Sequence, residues 1–315
     1  MTDTNLNHWS MYWQTGARHS LPQDFGSNYD RELAEFWGTY FISLESGASM
    51  LDVCTGTGAI PMLARDLMRA QDLQISAIDG ADVDPALVGA VWSDQPEHVA
   101  TIEFIFNCPV ELMSDRFGAA RFDLVTSQYG LEYCDLNKAA AQVASVLKNR
   151  GHLVMVTHAT TSEMAKTMGA EHSEYQLLEE VGYLKLLRSW SKNQLSAQKL
   201  KEGLGRVVEK LWPHHRKSDS LLLSQVIQSM QVAMNQPLGN LLAQGVYAQQ
   251  YLEQLQAAQA RLEDMQRVTQ LIGEGADEHW LAPFSANGLK LVSRTDIRID
   301  GAHLAGLGWV LQKEH

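Results

Sequence analysis

The sequence is poor in cysteine, lacks an excess of basic charge and has no long apolar stretch, and each of these shortages excludes a class of protein. Three cysteines among 315 residues are too few for a disulfide framework or a zinc cluster. A net charge of −12, with one short basic cluster at residues 214–217, argues against nucleic-acid binding. No uncharged apolar run reaches the roughly 18 residues of a membrane span, and no secretory signal is recognisable. We therefore expect a cytoplasmic globular protein that binds neither nucleic acid nor membrane.

Short apolar runs alternate with helical stretches between residues 50 and 158. The runs predict five strands, at residues 50–54, 74–78, 101–106, 122–127 and 152–157. The intervening segments predict helices, one of which begins at Asp84 and Pro85 with aspartate as the N-cap. This alternation predicts right-handed crossovers and a doubly wound α/β fold, in which helices cover both faces of a parallel sheet.

The alternation stops after residue 158, and the chain continues as successive helices to about residue 273. Two further strands, at 289–299 and 306–312, are separated by a short turn and predict a terminal antiparallel hairpin. The predicted sheet is thus seven-stranded and mostly parallel. We divide the chain into an N-terminal helical cap (1–47), an α/β domain (48–159 and 246–315) and a helical insertion (160–245). The insertion is expected to be a lid, a substrate element or a homodimer element.

The clearest chemical signal is a glycine-containing turn between the first predicted strand and its helix. Gly56 and Gly58 lack a Cβ, so the backbone there can turn tightly and let a ligand approach. Pro61 occupies the third small position of a dinucleotide fingerprint, and no phosphate-binding lysine motif follows. Because the carboxylate of Asp52 just upstream would repel a pyrophosphate, the turn favours a cationic or amino-bearing ligand.

This turn resembles the first motif of class I S-adenosylmethionine-dependent methyltransferases, in which an acidic residue precedes glycines at alternate positions. Asp52, Gly56 and Gly58 match that pattern, and Cys54 replaces the usual first glycine. Segments 122–133 and 147–153 resemble the family's fourth strand and the turn into its fifth strand. The resemblance implies S-adenosyl-L-methionine as the cofactor and no metal.

The resemblance also implies an acidic residue near the end of the second strand that binds both ribose hydroxyls. Its alignment favours Asp82, whereas Asp79 competes because it directly follows the apolar run. Asn107 or Cys108 stands where the family often contacts adenine with an aspartate. The predicted cofactor-binding residues are Asp52, Cys54, Gly56, Thr57, Gly58, Asp82, Val83, Asn107, Cys108, Pro109, Gln128 and Tyr12.

Methyl transfer is an in-line displacement, so the enzyme mainly aligns the nucleophile, and a base is needed only for a protonated acceptor. The candidate catalytic residues are His158, Glu132 and Tyr129, and Gln128 and Tyr133 are further candidates at the acceptor site, which the resemblance places above the ends of the fourth and fifth strands. An imidazole after the fifth strand could take a proton, although a hydrogen-bonded structural histidine fits the position equally. We expect O- or N-methylation of a small-molecule acceptor. The alternatives are a peptide or protein methyltransferase and a non-catalytic S-adenosylmethionine-binding partner protein.

An aromatic segment near the N-terminus, residues 9–16, has two interpretations. Its tryptophans and tyrosine could form a flap over the cofactor, since an aromatic face attracts a sulfonium. Packing of an N-terminal helix on the domain explains the same residues.

Overall fold

The computed structural model describes residues 7–20, 26–69, 71–218, 220–242, 245–273 and 278–314. Parts of the predicted N-terminal cap, residues 1–6 and 21–25, lie outside the described residues. Contacts along the chain define two compact units. One combines Met1–Lys166 with Asp264–His315, and the other is Thr167–Glu263.

The larger unit is built on a seven-stranded sheet. Its strands are β1 (Ser49–Val53), β2 (Gln74–Ile78), β3 (Ile102–Ile105), β4 (Phe122–Gln128), β5 (Leu147–Thr157), β6 (Leu289–Ile299) and β7 (His303–Lys313). The spatial order is β3-β2-β1-β4-β5-β7-β6. Strands β1 to β5 pair in parallel, and β7 runs antiparallel to both β5 and β6. The predicted doubly wound, mostly parallel sheet with a terminal hairpin is confirmed.

Helices connect these strands and make up the second unit. Those up to β5 are α1 (Asn7–Trp13), α2 (Arg31–Ile42), α3 (Ala59–Leu67), α4 (Pro85–Val91), α5 (Pro96–Val99), α6 (Met113–Phe117) and α7 (Leu136–Val146). Those that follow are α8 (Glu163–Glu180), α9 (Tyr183–Ser191), α10 (Ala197–His215), α11 (Leu221–Asn235), α12 (Leu238–Leu242), α13 (Gly245–Ile272) and α14 (Ala282–Ala286). As predicted, Asp84 caps α4, since its carboxylate accepts a hydrogen bond from the Ala86 backbone at 2.9 Å.

The sheet separates two hydrophobic cores. Successive residues of a strand point to opposite faces, and in β1 Met50 belongs to one core while Leu51 belongs to the other. The first core includes Trp37 of α2, and the second includes Val143 of α7. Because every residue of β1 is buried, this central strand is a rigid base for the loop that follows it.

The second unit is entirely helical in its described residues. Its buried side chains include Tyr183, Leu187, Leu204, Val226 and Met230, which come from α9, α10 and α11. Along α13, which continues from the second unit into the first, the apolar residues Leu255, Leu262, Met265 and Ile272 are buried as well. Within the described residues, none of the helices combines the length and the apolar character needed to cross a membrane.

Candidate active site

The carboxyl ends of the central strands border a cavity of about 410 Å³ within the larger unit. Connections from β1 and β4 run in opposite directions along the sheet, and ligands of open α/β sheets bind at such a switch point. The volume lies within the roughly 300–1,000 Å³ of small-molecule sites. The cavity is lined by Trp9, Trp13, Arg18, His19, Ser20, Tyr29, Asp52, Cys54, Thr55, Ala59, Ile60, Asp79, Gly80, Asn107, Pro109, Val110, Glu111, Leu112, Gln128, Tyr129, Gly130, Tyr133, Cys134, Lys138 and Asp264.

The glycine turn after β1 is closely covered by aromatic rings. Gly56 and Gly58 adopt φ values of 57° and 95°. A Cβ would lie 2.4 Å from the Trp13 ring at Gly56 and 2.6 Å from the Phe104 ring at Gly58. Both positions therefore require glycine, but the groups that approach them belong to the protein itself. Trp13 places the end of α1 directly over the turn.

Asp52 is a buried carboxyl group on the cavity wall. Its Oδ1 accepts a hydrogen bond from the Thr126 hydroxyl at 2.7 Å. Burial raises its pKa from the ordinary 3.8 to about 7, and the nearby charge of Asp79 acts in the same direction, although the hydroxyl groups of Thr55 and Thr126 oppose both. A positively charged ligand group beside it would favour the ionised form.

Asp79 follows β2 immediately and joins the two loops that border the cavity. Its carboxylate accepts hydrogen bonds from the backbone N–H groups of Gly56 and Ala81, each at 2.7 Å. Burial raises its pKa, which these two hydrogen bonds oppose. Each carboxylate oxygen has two lone pairs, so Asp79 retains acceptor capacity for ligand hydroxyls.

Asp82 is placed differently from Asp79. Its side chain is exposed and lies with Val83 on a separate depression, and Asn107 reaches both this depression and the cavity. The Asp82 carboxylate accepts a hydrogen bond from Asn107 Nδ2 at 2.9 Å. The loop that follows Asp79 turns Asp82 away from the cavity wall, so of the two candidates for the ribose only Asp79 lines the cavity.

The remaining predicted cofactor residues fall into two groups. Cys54, Asn107, Pro109 and Gln128 line the cavity. Outside its lining are the turn residues Gly56, Thr57 and Gly58, together with Val83, Cys108 and Tyr12.

Three of these residues outside the lining have structural contacts instead. The Thr57 hydroxyl donates to the Ala17 carbonyl at 2.8 Å, and the Tyr12 hydroxyl donates to the His19 carbonyl at 3.0 Å. Cys108 packs against the second core. Thr57 and Tyr12 thus fix the N-terminal segment, through which Trp9 and Trp13 reach the cavity.

Gln128 ends β4 with an amide that is only partly satisfied. Its Oε1 accepts a hydrogen bond from the Trp37 indole N–H. Its Nε2 is buried and makes no hydrogen bond of good geometry among the residues that the structure describes, although the Gln128 side chain interacts with the Tyr29 hydroxyl. Because buried polar groups are normally paired, a ligand atom in the cavity that accepts a hydrogen bond would satisfy this amide.

Glu132 and His158 form a buried pair behind the cavity wall. His158 Nδ1 lies 2.8 Å from Glu132 Oε1, and the side chains of both residues are 1 % exposed. His158 Nε2 lies 3.5 Å from the hydroxyl of Tyr133, which does line the cavity. The pair therefore reaches the cavity through Tyr133, one of the further candidates at the acceptor site.

Tyr129, the third predicted catalytic residue, lines the cavity, but its hydroxyl group is engaged by the backbone. Its hydroxyl donates a hydrogen bond to the Ala305 carbonyl at 2.9 Å, and its ring lies 4.8 Å from the imidazole of His158. This geometry positions the histidine ring and directs the Tyr129 hydroxyl proton to the Ala305 carbonyl instead of to a methyl acceptor in the cavity.

The sequence did not point to Asp264, which lines the cavity from α13. Its Oδ2 lies 3.0 Å from His8 Nε2. Burial acts to raise its pKa, but His8 and Arg267 outweigh burial and hold the pKa below its ordinary value. Asp264 is therefore a carboxylate at neutral pH. No local motif marks it, because only the tertiary fold brings this helix to the cavity.

The model of a family described as a methyltransferase domain matches residues 23–204, more than half of the chain. The chain belongs to this methyltransferase family. The predicted S-adenosylmethionine-dependent methyltransferase, with S-adenosylmethionine as its cofactor, is thereby confirmed. The sequence of this methyltransferase matches no curated protein.

Solved structures of other methyltransferases resemble this one distantly. Geranyl diphosphate C-methyltransferase from Streptomyces coelicolor A3(2) is 14% identical, over 40% of this chain and 45% of its own, with a TM-score of 0.35. Phosphoethanolamine N-methyltransferase 2 from Haemonchus contortus is 18% identical, over 74% of this chain and 53% of its own, with a TM-score of 0.37. This methyltransferase thus spans less than half of the first protein and about half of the second.

Proposed function

We propose that this methyltransferase transfers the methyl group of S-adenosylmethionine to an oxygen or nitrogen atom of a small-molecule acceptor. The observation that carries this proposal is the cavity at the switch point, which holds two buried carboxyl groups and an aromatic wall. A cavity of about 410 Å³ suits a cofactor with a small acceptor better than a folded protein substrate.

The residues of the cavity fit the cofactor chemically. The cofactor supplies an activated methyl group on a cationic sulfonium, together with an amino group and ribose hydroxyls. Asp52 offers a buried carboxyl group to the positive charge, and Asp79 offers acceptor oxygens to the hydroxyls. Trp9 and Trp13 provide aromatic faces that attract a cation. We therefore assign the ribose to Asp79 and not to Asp82.

A protonated acceptor would lose its proton to the buried pair through Tyr133. Glu132 fixes the imidazole of His158 by accepting from Nδ1, which leaves Nε2 facing the Tyr133 hydroxyl. In this arrangement Tyr133 is the group that touches the acceptor, and Glu132 and Tyr129 position the imidazole. The helical insertion at 160–245 stays a proposed lid, substrate or dimer element.

Calorimetry with S-adenosylmethionine, S-adenosylhomocysteine and NAD tests the cofactor site, and the first two should bind while NAD does not. Asp79→Asn should weaken S-adenosylmethionine binding by about tenfold or more, since a charged hydrogen bond is worth about 1.5–3 kcal/mol. Asp82→Asn is the matched control and should change the affinity by less than about twofold, because its side chain lies outside the cavity. Reversed effects of the two variants would restore Asp82 as the ribose ligand.

A release assay for S-adenosylhomocysteine against a panel of alcohols, phenols and amines tests turnover. Turnover with a member of this panel is the expected result. Turnover only with peptides would favour the protein methyltransferase. Binding of S-adenosylmethionine without turnover on small molecules or peptides would favour the non-catalytic binding protein.

A further inference from the structure

Two cysteines from distant parts of the sequence meet at the cofactor cavity. Cys54 follows β1 and Cys134 follows the short 3-10 helix Leu131–Tyr133, yet their sulfur atoms lie only 3.7 Å apart. Both are free thiols, both are partly exposed, and both line the cavity. All three cysteines pack against the second core, but the third, Cys108, lies outside this lining.

We propose that Cys54 and Cys134 form a disulfide when a peroxide oxidises them, and that this disulfide lowers the affinity of the enzyme for S-adenosylmethionine. The proposal rests on the proposed function, because it takes this cavity as the cofactor site. It adds a covalent modification site to the cavity, at which the oxidation state of two side chains controls binding.

The chemistry balances with a peroxide as the oxidant. Peroxide transfers one oxygen atom to the Cys134 sulfur, which becomes a sulfenic acid, and one water is released. The Cys54 sulfur then attacks the Cys134 sulfur, forming the S–S bond while the S–O bond breaks. The departing hydroxide and the proton of Cys54 leave as a second water. One peroxide is thus reduced for each disulfide formed.

The two thiols can exchange roles without changing this balance. The neighbouring Cys134 sulfur and burial raise the pKa of the Cys54 thiol well above its ordinary value, which slows each step in which Cys54 reacts as a thiolate. The two sulfur atoms are already in contact, so the thiol that is still reduced is positioned to attack the oxidised one.

Bond formation must bring the sulfur atoms from 3.7 Å to about 2.05 Å. Cys54 has little room to move, because it has a φ of 56° at the end of a buried strand and packs on Gly130. A Cβ on Gly130 would lie only 2.4 Å from the Cys54 Cβ. Most of the displacement therefore falls on Cys134, whose loop lies between Tyr133 and the N-cap of α7.

This displacement acts directly on the cofactor site. It draws the loop after β4 toward the glycine turn, and the new bond fixes the two sides of the cavity to one another at Cys54. Tyr133 precedes Cys134 in the chain and lines the same cavity, so its ring shifts with the loop. The reduced pair, in contrast, leaves the cavity as the structure shows it.

The test compares reduced and peroxide-treated protein in the wild type and two variants. Hydrogen peroxide should yield a peptide cross-linked between Cys54 and Cys134, with the mass of two hydrogen atoms lost, and dithiothreitol should reverse it. Calorimetry with S-adenosylmethionine should show an affinity at least about tenfold lower for the oxidised wild type, a change of about 1.4 kcal/mol.

Two single variants provide the matched controls. Cys134→Ser should form no such cross-link, and its affinity for S-adenosylmethionine should be the same before and after peroxide treatment. Cys108→Ser keeps both cavity cysteines, so it should form the cross-link and lose affinity as the wild type does. Each variant is compared with its own reduced form, so a change in basal affinity does not affect the result.

Three results would overturn the proposal: no Cys54–Cys134 peptide in peroxide-treated wild type, a disulfide with unchanged affinity, or an equal loss of affinity in Cys134→Ser. Failure of the proposed function is recognised separately. If the reduced wild type does not bind S-adenosylmethionine, the cofactor site is wrong and the effect on affinity is refuted with it, while the mass of the peptide still decides whether the disulfide forms.

Discussion

Replacement of Asp52 by asparagine would remove a buried ionisable group from the cavity with little change in the shape of the side chain. The carboxyl group is 2 % exposed, and its pKa is raised from 3.8 to about 7. In the unfolded chain the group ionises near pH 4, whereas in the folded protein it keeps its proton to about pH 7. Folding therefore binds a proton between these values, and the stability of the wild type falls as the pH rises through this range.

The size of this loss follows from the pKa shift. A shift of about three units corresponds to roughly 4 kcal/mol, complete above pH 7 and absent below about pH 4. About 3 kcal/mol of it falls between pH 5 and pH 8. Asparagine does not ionise, so Asp52→Asn should lack this part of the decrease. Its carbonyl can still accept the hydrogen bond from Thr126.

Urea-induced unfolding of the ligand-free protein, followed by tryptophan fluorescence, measures the effect at pH 5 and pH 8. The free energy of unfolding of Asp52→Asn, relative to wild type, should rise by about 3 kcal/mol between the two pH values. Any pH-independent cost of the new amide cancels in this difference. Asp66→Asn, at a side chain that is 41 % exposed, is the matched control and should follow the wild type.

Parallel stability profiles for Asp52→Asn and wild type would refute the reasoning. They would mean that Asp52 is ionised in the ligand-free protein and that water or an unrecognised cation compensates its charge.

Two further predictions concern the ligand-bound enzyme. A sulfonium or ammonium group favours ionised Asp52, so binding of the cofactor should release a proton below pH 7. Calorimetry should therefore show the affinity for S-adenosylmethionine rising by up to about tenfold per pH unit and levelling above pH 8. A pH-independent affinity would contradict this, and the affinity of Asp52→Asn should depend less on pH. With an acceptor found in the release assay, His158→Gln and Tyr133→Phe should each lower kcat by about 10²–10⁴-fold, which is the usual contribution of a general base. The affinity of both variants for the cofactor should change little. Wild-type turnover in either variant would exclude proton transfer from the acceptor to His158 through Tyr133.

The fold was largely predictable because its signals are local. A short apolar run bounded by turn residues predicts a buried strand wherever it occurs, and all seven strands appear close to the predicted positions. The boundaries were less accurate. Strand β5 begins at Leu147, five residues earlier than predicted, because Leu147 pairs with Phe122 of β4 instead of continuing the preceding helix. Pairing between distant strands decides such an end, and no local pattern records it.

The site was predictable only where a side chain lies next to a strand end. Asp52, Cys54 and Gln128 were identified in this way and line the cavity. Tyr133 was a further candidate at the acceptor site because it follows the fourth strand closely, whereas Asp264 was not identified, because only tertiary packing brings it to the cavity. The two candidates for the ribose differ in this respect: Asp79, which directly follows the apolar run, lines the cavity, whereas Asp82, which the family alignment favours, lies on a separate depression.

The position of β7 imposes an order on the folding of the chain. This strand lies between β5 and β6, although it follows both in sequence, and the entire helical unit intervenes between β5 and β7. During synthesis, β5 therefore emerges with an unpaired edge that stays open while about 145 further residues are made. Unpaired edges promote association between chains. Faster synthesis of the intervening segment, or a chaperone that covers the edge of β5, should thus raise the yield of folded protein.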